Sequence, residues 1–214
     1  MNTIYYTPYT LPEGEKRPVY EHHIGRRLLA YALKDSFQLD VSPVWLNTFV
    51  QTKEGGKPFL FGLPHIHYNI SHCEGMVALA LSDRPVGVDI EKVRPVKDAL
   101  VRRVLTEEEQ SFLYKTAAGE EARAEWFTRF WTLKESYLKY TGEGIAASLT
   151  SVSFRFHTED AENETPDDPC ITCSDPSVTM YETTLPEQYI LSACSETNEP
   201  FRLHPLDPDA FSLP

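Results

Sequence analysis

The sequence predicts an α+β fold made of two similar α+β halves. Three observations predict it: apolar residues at helical spacing, short strand-forming runs bounded by turn residues, and an order in which helix and strands are followed by helices and strands again. From about Val19 to Phe37, the positions Ile24, Leu28, Tyr31 and Ala32 mark one face of a first long helix. The chain turns at Gly55-Gly56-Lys57-Pro58, since glycine tolerates unusual backbone angles and Pro58 stops a helix. His67–Ser71, Met76–Leu81 and Val86–Glu91 then read as strands, separated by Glu74-Gly75 and Asp83-Arg84-Pro85. Thr106-Glu107-Glu108-Glu109 has the form of a capping box and places a helix start at Thr106. A second long helix is predicted from about Glu120 to Tyr140, with Phe127, Phe130, Trp131 and Leu138 as its stripe and Gly142 as its stop. Val152–Phe156, Thr179–Thr184 and Tyr189–Ala193 read as strands, the last two near a hairpin, and Glu159–Pro169 as an acidic loop. A boundary near Asp83–Pro85 gives an N-terminal half over residues 1–84 and a C-terminal half over 85–198, with 199–214 as a tail.

Charge and composition narrow the function. The net charge of −12 argues against general nucleic-acid binding. Its distribution is uneven: residues 155–214 hold 13 Asp and Glu against 2 Lys and Arg, whereas residues 1–154 hold 19 against 18 and can present local basic patches to an anion. The longest apolar run, Met76–Leu81, is far short of the roughly 18–20 residues of a membrane-spanning helix. Met1–Tyr6 lacks the basic and apolar segments of a secretory signal, so a soluble, cytoplasmic protein is expected. Cys170 and Cys173 form a CxxC pair without the two further ligands that zinc needs; with Cys73 and Cys194 they are expected to be reduced thiols.

The chemistry-bearing residues are carboxylates and lysines. Asp89 and Glu91 sit two apart on a strand, so they share a face while Ile90 points into the core. That pair reads either as solvated acids on a strand edge or as half of a cation site. Glu135 and Lys139 lie at i and i+4 with Trp131 one turn earlier; they read as a surface ion pair or as the helical part of the same site. Three carboxylates and a lysine suit Mg²⁺ bound together with a phosphate ligand. Lys134 falls inside the apolar stripe and must reach water or an anion. His72, after Asn69-Ile70-Ser71, reads as a structural histidine or as one of a group of phosphate donors; Lys57 reads as a solvated turn lysine or as a phosphate or adenine contact.

Taken in order, Gly56-Lys57-Pro58, Asn69-Ile70-Ser71-His72, Gly87-Val88-Asp89-Ile90-Glu91-Lys92 and Trp131-Thr132-Leu133-Lys134-Glu135-Ser136, followed by Lys139 and Gly142-Glu143-Gly144, resemble the surfactin-synthetase-activating type of phosphopantetheinyl transferase. The resemblance covers residues 56–144. It implies a pseudo-dimer of the two halves with the active site in the cleft between them, and transfer of the 4′-phosphopantetheine group of coenzyme A to a serine of an acyl- or peptidyl-carrier protein. It also implies Mg²⁺, replaceable by Mn²⁺, held by Asp89, Glu91 and Glu135. Lys57, Pro58, Asn69, Ser71, His72, Asp89 and Lys139 would face coenzyme A. Glu135 and Lys139 would be the catalytic pair, with Glu135 as base and Glu91 as the alternative. The basic N-terminal segment common in the family is short here, leaving Lys16, Arg17, Arg26 and Arg27 as candidates for the 3′-phosphate, and Cys73 stands where serine is common. A monomer is expected, because the two halves already supply both walls. Arg94, Lys97, Arg102 and Arg103 read as a solvated face or as a surface for an acidic carrier. Two other functions fit the same residues: a Mg²⁺-dependent phosphohydrolase that needs no carrier, and a non-catalytic module binding coenzyme A or carrier.

Overall fold

The computed structural model describes residues 1–53, 56–143, 148–157 and 170–208. The acidic loop expected at Glu159–Pro169, Gly144 and residues 209–214 of the expected tail lie outside the described residues. In chain order the elements are β1 (Asn2–Pro8), α1 (Arg17–Phe37), α2 (Pro43–Phe49), β2 (Val50–Thr52), β3 (Pro58–Leu60), β4 (His67–Cys73), β5 (Met76–Ser82), β6 (Val86–Lys92), α3 (Asp98–Val104), α4 (Glu107–Thr116), α5 (Glu120–Thr141), β7 (Phe154–His157), β8 (Cys170–Cys173), β9 (Thr179–Leu185), β10 (Tyr189–Ser195) and β11 (Phe201–Pro205). The mixed α+β class is as the sequence predicts. Among the described residues no helix is long and apolar enough to cross a membrane.

The strands form a four-stranded sheet in the order β11-β1-β5-β4 and a three-stranded sheet in the order β6-β10-β9, with small ladders β2-β3 and β7-β8. Two strands of the larger sheet are additions to the sequence reading. β1 pairs antiparallel with β5 along its whole length and parallel with β11, from Asn2 opposite Phe201 to Tyr6 opposite Pro205. Over 201–205 the segment expected as a tail is therefore an edge strand of the first sheet. Its five residues have no strong pattern of their own; they order because β1 offers an unpaired edge.

Alternation along each strand sets the layers. On β5, Val77, Leu79 and Leu81 pack with Tyr5 against Leu28, Leu29 and Leu33 of α1. The opposite face, Ile4, Ala78 and Ala80, meets Val88 and Ile90 of β6 and Leu191 and Ala193 of β10. Gly87, Asp89 and Glu91 consequently point to the other side of β6, under α5. The helix lies unusually close there. A Cβ built on Gly87 would stand 2.0 Å from the carbonyl oxygen of Ser136 and 2.5 Å from the amide nitrogen of Tyr140.

β6 is an edge strand, and its amides toward β4 are satisfied by side chains rather than by a ladder. Asn69 Oδ1 accepts from Val88 N at 3.0 Å and Ser71 Oγ accepts from Ile90 N at 3.3 Å. These bonds seam the two sheets together, which suits the rule that buried backbone donors find partners.

On the far side of α5, Lys134 resolves the conflict set by its place in an apolar stripe. It is fully buried, and its Nζ lies 2.9 Å from Glu109 Oε2 while donating to the carbonyls of Leu149 at 2.9 Å and Val152 at 2.6 Å. Glu109 also completes the expected capping box with Thr106 and accepts from Phe154 N. One ion pair thus ties the start of α4, the middle of α5 and the segment entering β7.

Two predictions follow the packing. Lys134→Met leaves the Glu109 carboxylate buried without its counter-charge and should cost about 3–5 kcal/mol; a chemical-denaturation loss under about 1 kcal/mol would show that the pair is dispensable. Gly87→Ala forces α5 off β6 because the obstacle is helix backbone, and a loss of about 3 kcal/mol is expected, at the upper end of overpacking costs. A Tm equal to that of the unsubstituted chain would refute the close approach.

Candidate active site

Lys57, Pro58, Asn69, Ser71, His72, Asp89, Glu91, Glu135 and Lys139, the residues singled out from sequence, all line one cleft of about 880 Å³. One wall comes from β3 and β4 with the turn before β3, the other from β6 and α5. Trp131 and Leu138 give the second wall an apolar part, and Leu100 and Arg103 of α3 stand at its rim.

Asp89 is the centre of the charge arrangement. It is 3% exposed. Its Oδ1 accepts from Lys139 Nζ at 2.6 Å and from Ser71 Oγ at 2.8 Å, and Lys139 also donates to Ser71 Oγ at 2.9 Å. Its Oδ2 is buried and without a hydrogen-bond partner among the described residues. Of the two readings of Glu135 and Lys139, the surface ion pair is not the one formed: Lys139 pairs with Asp89, whose deeper burial makes an unpaired charge more costly there than on half-buried Glu135.

The other two acids carry the cost of that choice. Burial, and after it repulsion from Asp89, pushes the Glu91 carboxyl up to about 7; Glu135 adds to the push, while Lys139 and Arg94 oppose it. Burial and then Asp89 also raise the Glu135 carboxyl above its ordinary value, with Lys139 opposing. Asp89 thus acts on both neighbouring acids across the cleft, while Lys139, in contact with Asp89, opposes it at each. Among the described residues no three His, Cys, Asp or Glu side chains are drawn together as a metal-binding group. The donor set nevertheless fits a hard divalent cation: the candidate donors are all oxygens, one buried carboxylate oxygen lacks a partner among the described residues, and the two neighbouring acids are held toward protonation first by burial and then by the charge of Asp89.

The opposite wall departs from its sequence reading in detail. Asn69 and Ser71 are buried and committed to the β6 seam, so their first task is structural. Lys57 is also engaged: its Nζ donates to the carbonyl of Tyr140 at 2.5 Å and its chain lies against Gly142, whose left-handed conformation ends α5. A cation at a helix C-terminus is favourable there, while burial first and Lys53 second lower its pKa to about 8. His72 is half-exposed, with Nδ1 3.1 Å from Glu21 Oε2. Sequence reasoning missed Glu21, since a lone acid among His22, His23 and Arg26 carries no spacing signal. Of the cationic candidates for a 3′-phosphate, none lines this cleft; Arg26 and Arg27 border a separate concavity of about 270 Å³ with His22 and His23. Arg94 is paired with Glu74 at 2.9 Å.

Comparison with known proteins identifies the family of the chain. The model of the 4′-phosphopantetheinyl transferase superfamily matches residues 85–194, which include Asp89, Glu91, Glu135 and Lys139. The chain is 33% identical over 136 residues to 4′-phosphopantetheinyl transferase Sfp of Bacillus subtilis (strain 168), covering 64% of this chain and 58% of that relative. It is 31% identical over 140 residues to 4′-phosphopantetheinyl transferase psf-1 of Bacillus pumilus, covering 65% and 57%. A further 4′-phosphopantetheinyl transferase of Bacillus subtilis is 31% identical over 175 residues, covering 80% of this chain and 72% of its own. The chain spans less than two thirds of the length of the first two relatives and more than two thirds of the third. From these matches, the chain belongs to the 4′-phosphopantetheinyl transferase superfamily.

Proposed function

We propose that this protein transfers the 4′-phosphopantetheine group of coenzyme A to a serine of an acyl- or peptidyl-carrier protein, as a transferase of the holo-[acyl-carrier-protein] synthase type, and releases adenosine 3′,5′-bisphosphate. The observation that carries the reading is the convergence of Asp89, Glu91, Glu135 and Lys139 with His72 and Lys57 on one cleft. On this reading residues 1–84 and 85–198 are the two halves of a pseudo-dimer, a single chain supplies both walls, and the protein acts in the cytoplasm.

Asp89, Glu91 and Glu135 would hold Mg²⁺ or Mn²⁺, which when bound supplies electrostatic stabilisation for charge building on a diphosphate. The remaining work falls to the chain's own groups. Glu135 stands on the helical wall beside Lys139, where it can take the proton from the attacking serine hydroxyl. The serine oxygen then bonds to the β-phosphorus of coenzyme A, and the bond from that phosphorus to the bridging oxygen breaks. The electron pair leaves on adenosine 3′,5′-bisphosphate, and the proton remains on Glu135. Lys139 offers its ammonium to the diphosphate oxygens and shares the charge that develops there. His72 and the Lys57-Pro58 turn form the wall against which coenzyme A would lie, and Arg103 with Leu100 at the rim would meet the carrier.

The assay is direct. Incubated with an apo carrier protein, coenzyme A and Mg²⁺, the chain should add about 340 Da to the carrier, the mass of one phosphopantetheine unit. Asp89→Ala and Glu135→Gln should each lower that rate at least about hundredfold while remaining folded. Near-normal transfer by either variant would remove these residues from the mechanism. Release of phosphate without a mass gain would favour a hydrolase.

The burial of Glu91 beside Asp89 also sets a pH dependence. The Glu91 carboxyl titrates near 7 in the folded chain against an ordinary 4.5. Between those values the folded state holds a proton that the unfolded state has released, so stability from this group is present below 4.5 and lost as pH rises through 7. In chelator, Glu91→Gln should therefore gain in Tm over the unsubstituted chain as pH climbs from 4.5 to 7, with the difference level above that. A difference that stays flat across the window would mean that burial and the neighbouring acids do not raise the carboxyl.

A further inference from the structure

We infer that Glu21 is a positioning residue for His72, holding the imidazole from behind so that its Nε2 is presented to a phosphate of coenzyme A; this rests on the reading of the cleft as a coenzyme A site. Glu21 lies on α1 and is 4% exposed. Burying a carboxylate costs several kcal/mol unless its oxygens are partnered, and here both are. Oε1 accepts from the hydroxyl of Tyr9, and Oε2 lies 3.1 Å from His72 Nδ1. Tyr9 is itself fixed, with its backbone N–H donating to the Gly75 carbonyl at 2.9 Å in the turn between β4 and β5. The chain therefore runs from a fixed tyrosine through a buried acid to a half-exposed histidine on the cleft wall.

The chemistry gives this arrangement a direction. Nδ1–H is committed to the carboxylate, so Nε2 is the nitrogen left for the cleft. With both nitrogens protonated, the ring offers a second N–H to a phosphate oxygen while Glu21 balances its charge. A histidine at a strand end has two free torsions; the carboxylate removes that freedom before the ligand arrives, which lowers the ordering cost of binding. Glu21 itself does not line the cleft, so its effect on the ligand passes through His72.

Calorimetric titration of coenzyme A into the full chain tests this with Glu21→Gln, His72→Ala and the double variant. Glu21→Gln and His72→Ala should each weaken coenzyme A about tenfold, the size of one charge-assisted hydrogen bond. The double variant should bind no more weakly than His72→Ala alone, since the acid acts through the ring. Additive losses would mean that Glu21 serves the fold rather than His72 and would overturn the inference. Wild-type affinity in Glu21→Gln with a loss in His72→Ala overturns the inference while leaving the coenzyme A reading intact; wild-type affinity in His72→Ala overturns the His72 contact itself. Should Glu21→Gln fail to fold, Tyr9→Phe takes its place, with a smaller loss of about threefold that must likewise vanish in the His72→Ala background; persistence of that loss rejects the relay.

Discussion

The closeness of α5 to β6 at Gly87 is the constraint on which the cleft depends. A side chain at that position would collide with the Ser136 carbonyl and the Tyr140 amide, which are parts of the helix that cannot swing away. Because Gly87, Asp89 and Glu91 share one face of the strand, the glycine that admits the helix and the two acids beneath it follow from one alternation. Ser136 and Tyr140 are four apart and press on the strand. Glu135 and Lys139, each one residue earlier, therefore form the adjacent row of the helix and overhang the acids. The relation between the strand motif and the helix motif is thus a matter of backbone register before it is a matter of charge.

Charge then decides how the site rests. Asp89 is the most deeply buried of the three acids, and a buried carboxylate left alone would be more costly than a half-buried one, so Lys139 goes to it. The remaining acids are shifted toward protonation first by their own burial and then by the negative charge of Asp89. Ser71 lowers the cost by donating to the same oxygen, and it can do so because the seam already holds β4 against the edge of β6. The polar bonds that join the two sheets and those that settle the site are one network, of the kind in which each member raises the worth of the others.

How much of this was legible in the sequence depended on distance along the chain. α1, α5, β4, β5 and β6 appear where periodicity placed them, and the capping box at Thr106 and the glycine stop at Gly142 are as read, because each is a local pattern. β1 was not read as a strand because it is buried on both faces and shows no alternation, and β11 because its order derives from a partner at the other end of the chain. The carboxylate face was readable from a spacing of two. The choice of Lys139 for Asp89, of Lys134 for Glu109, of Lys57 for the Tyr140 carbonyl and of His72 for Glu21 was not, since each unites residues whose proximity only the tertiary fold creates.

The segment Asn69-Ile70-Ser71-His72 shows what a motif leaves undetermined. Read as a row of short donors, it points to phosphate; in the fold its members divide the labour by the strand's alternation and by burial. Asn69 and Ser71 face β6 and supply its edge amides with acceptors, Ile70 faces Gly25 of α1, and His72 alone of the four is mostly clear of the interior. Removing the Asn69 amide would therefore leave the Val88 N–H unpaired and loosen the strand that carries Asp89, weakening the site without any contact with a ligand. Lys57 does the same at the other end of the cleft by fastening the turn before β3 to the last carbonyls of α5. The two walls are thus tied at the floor by Ser71 and at the end by Lys57, and a residue of either wall can matter to binding through the width of the cleft it maintains.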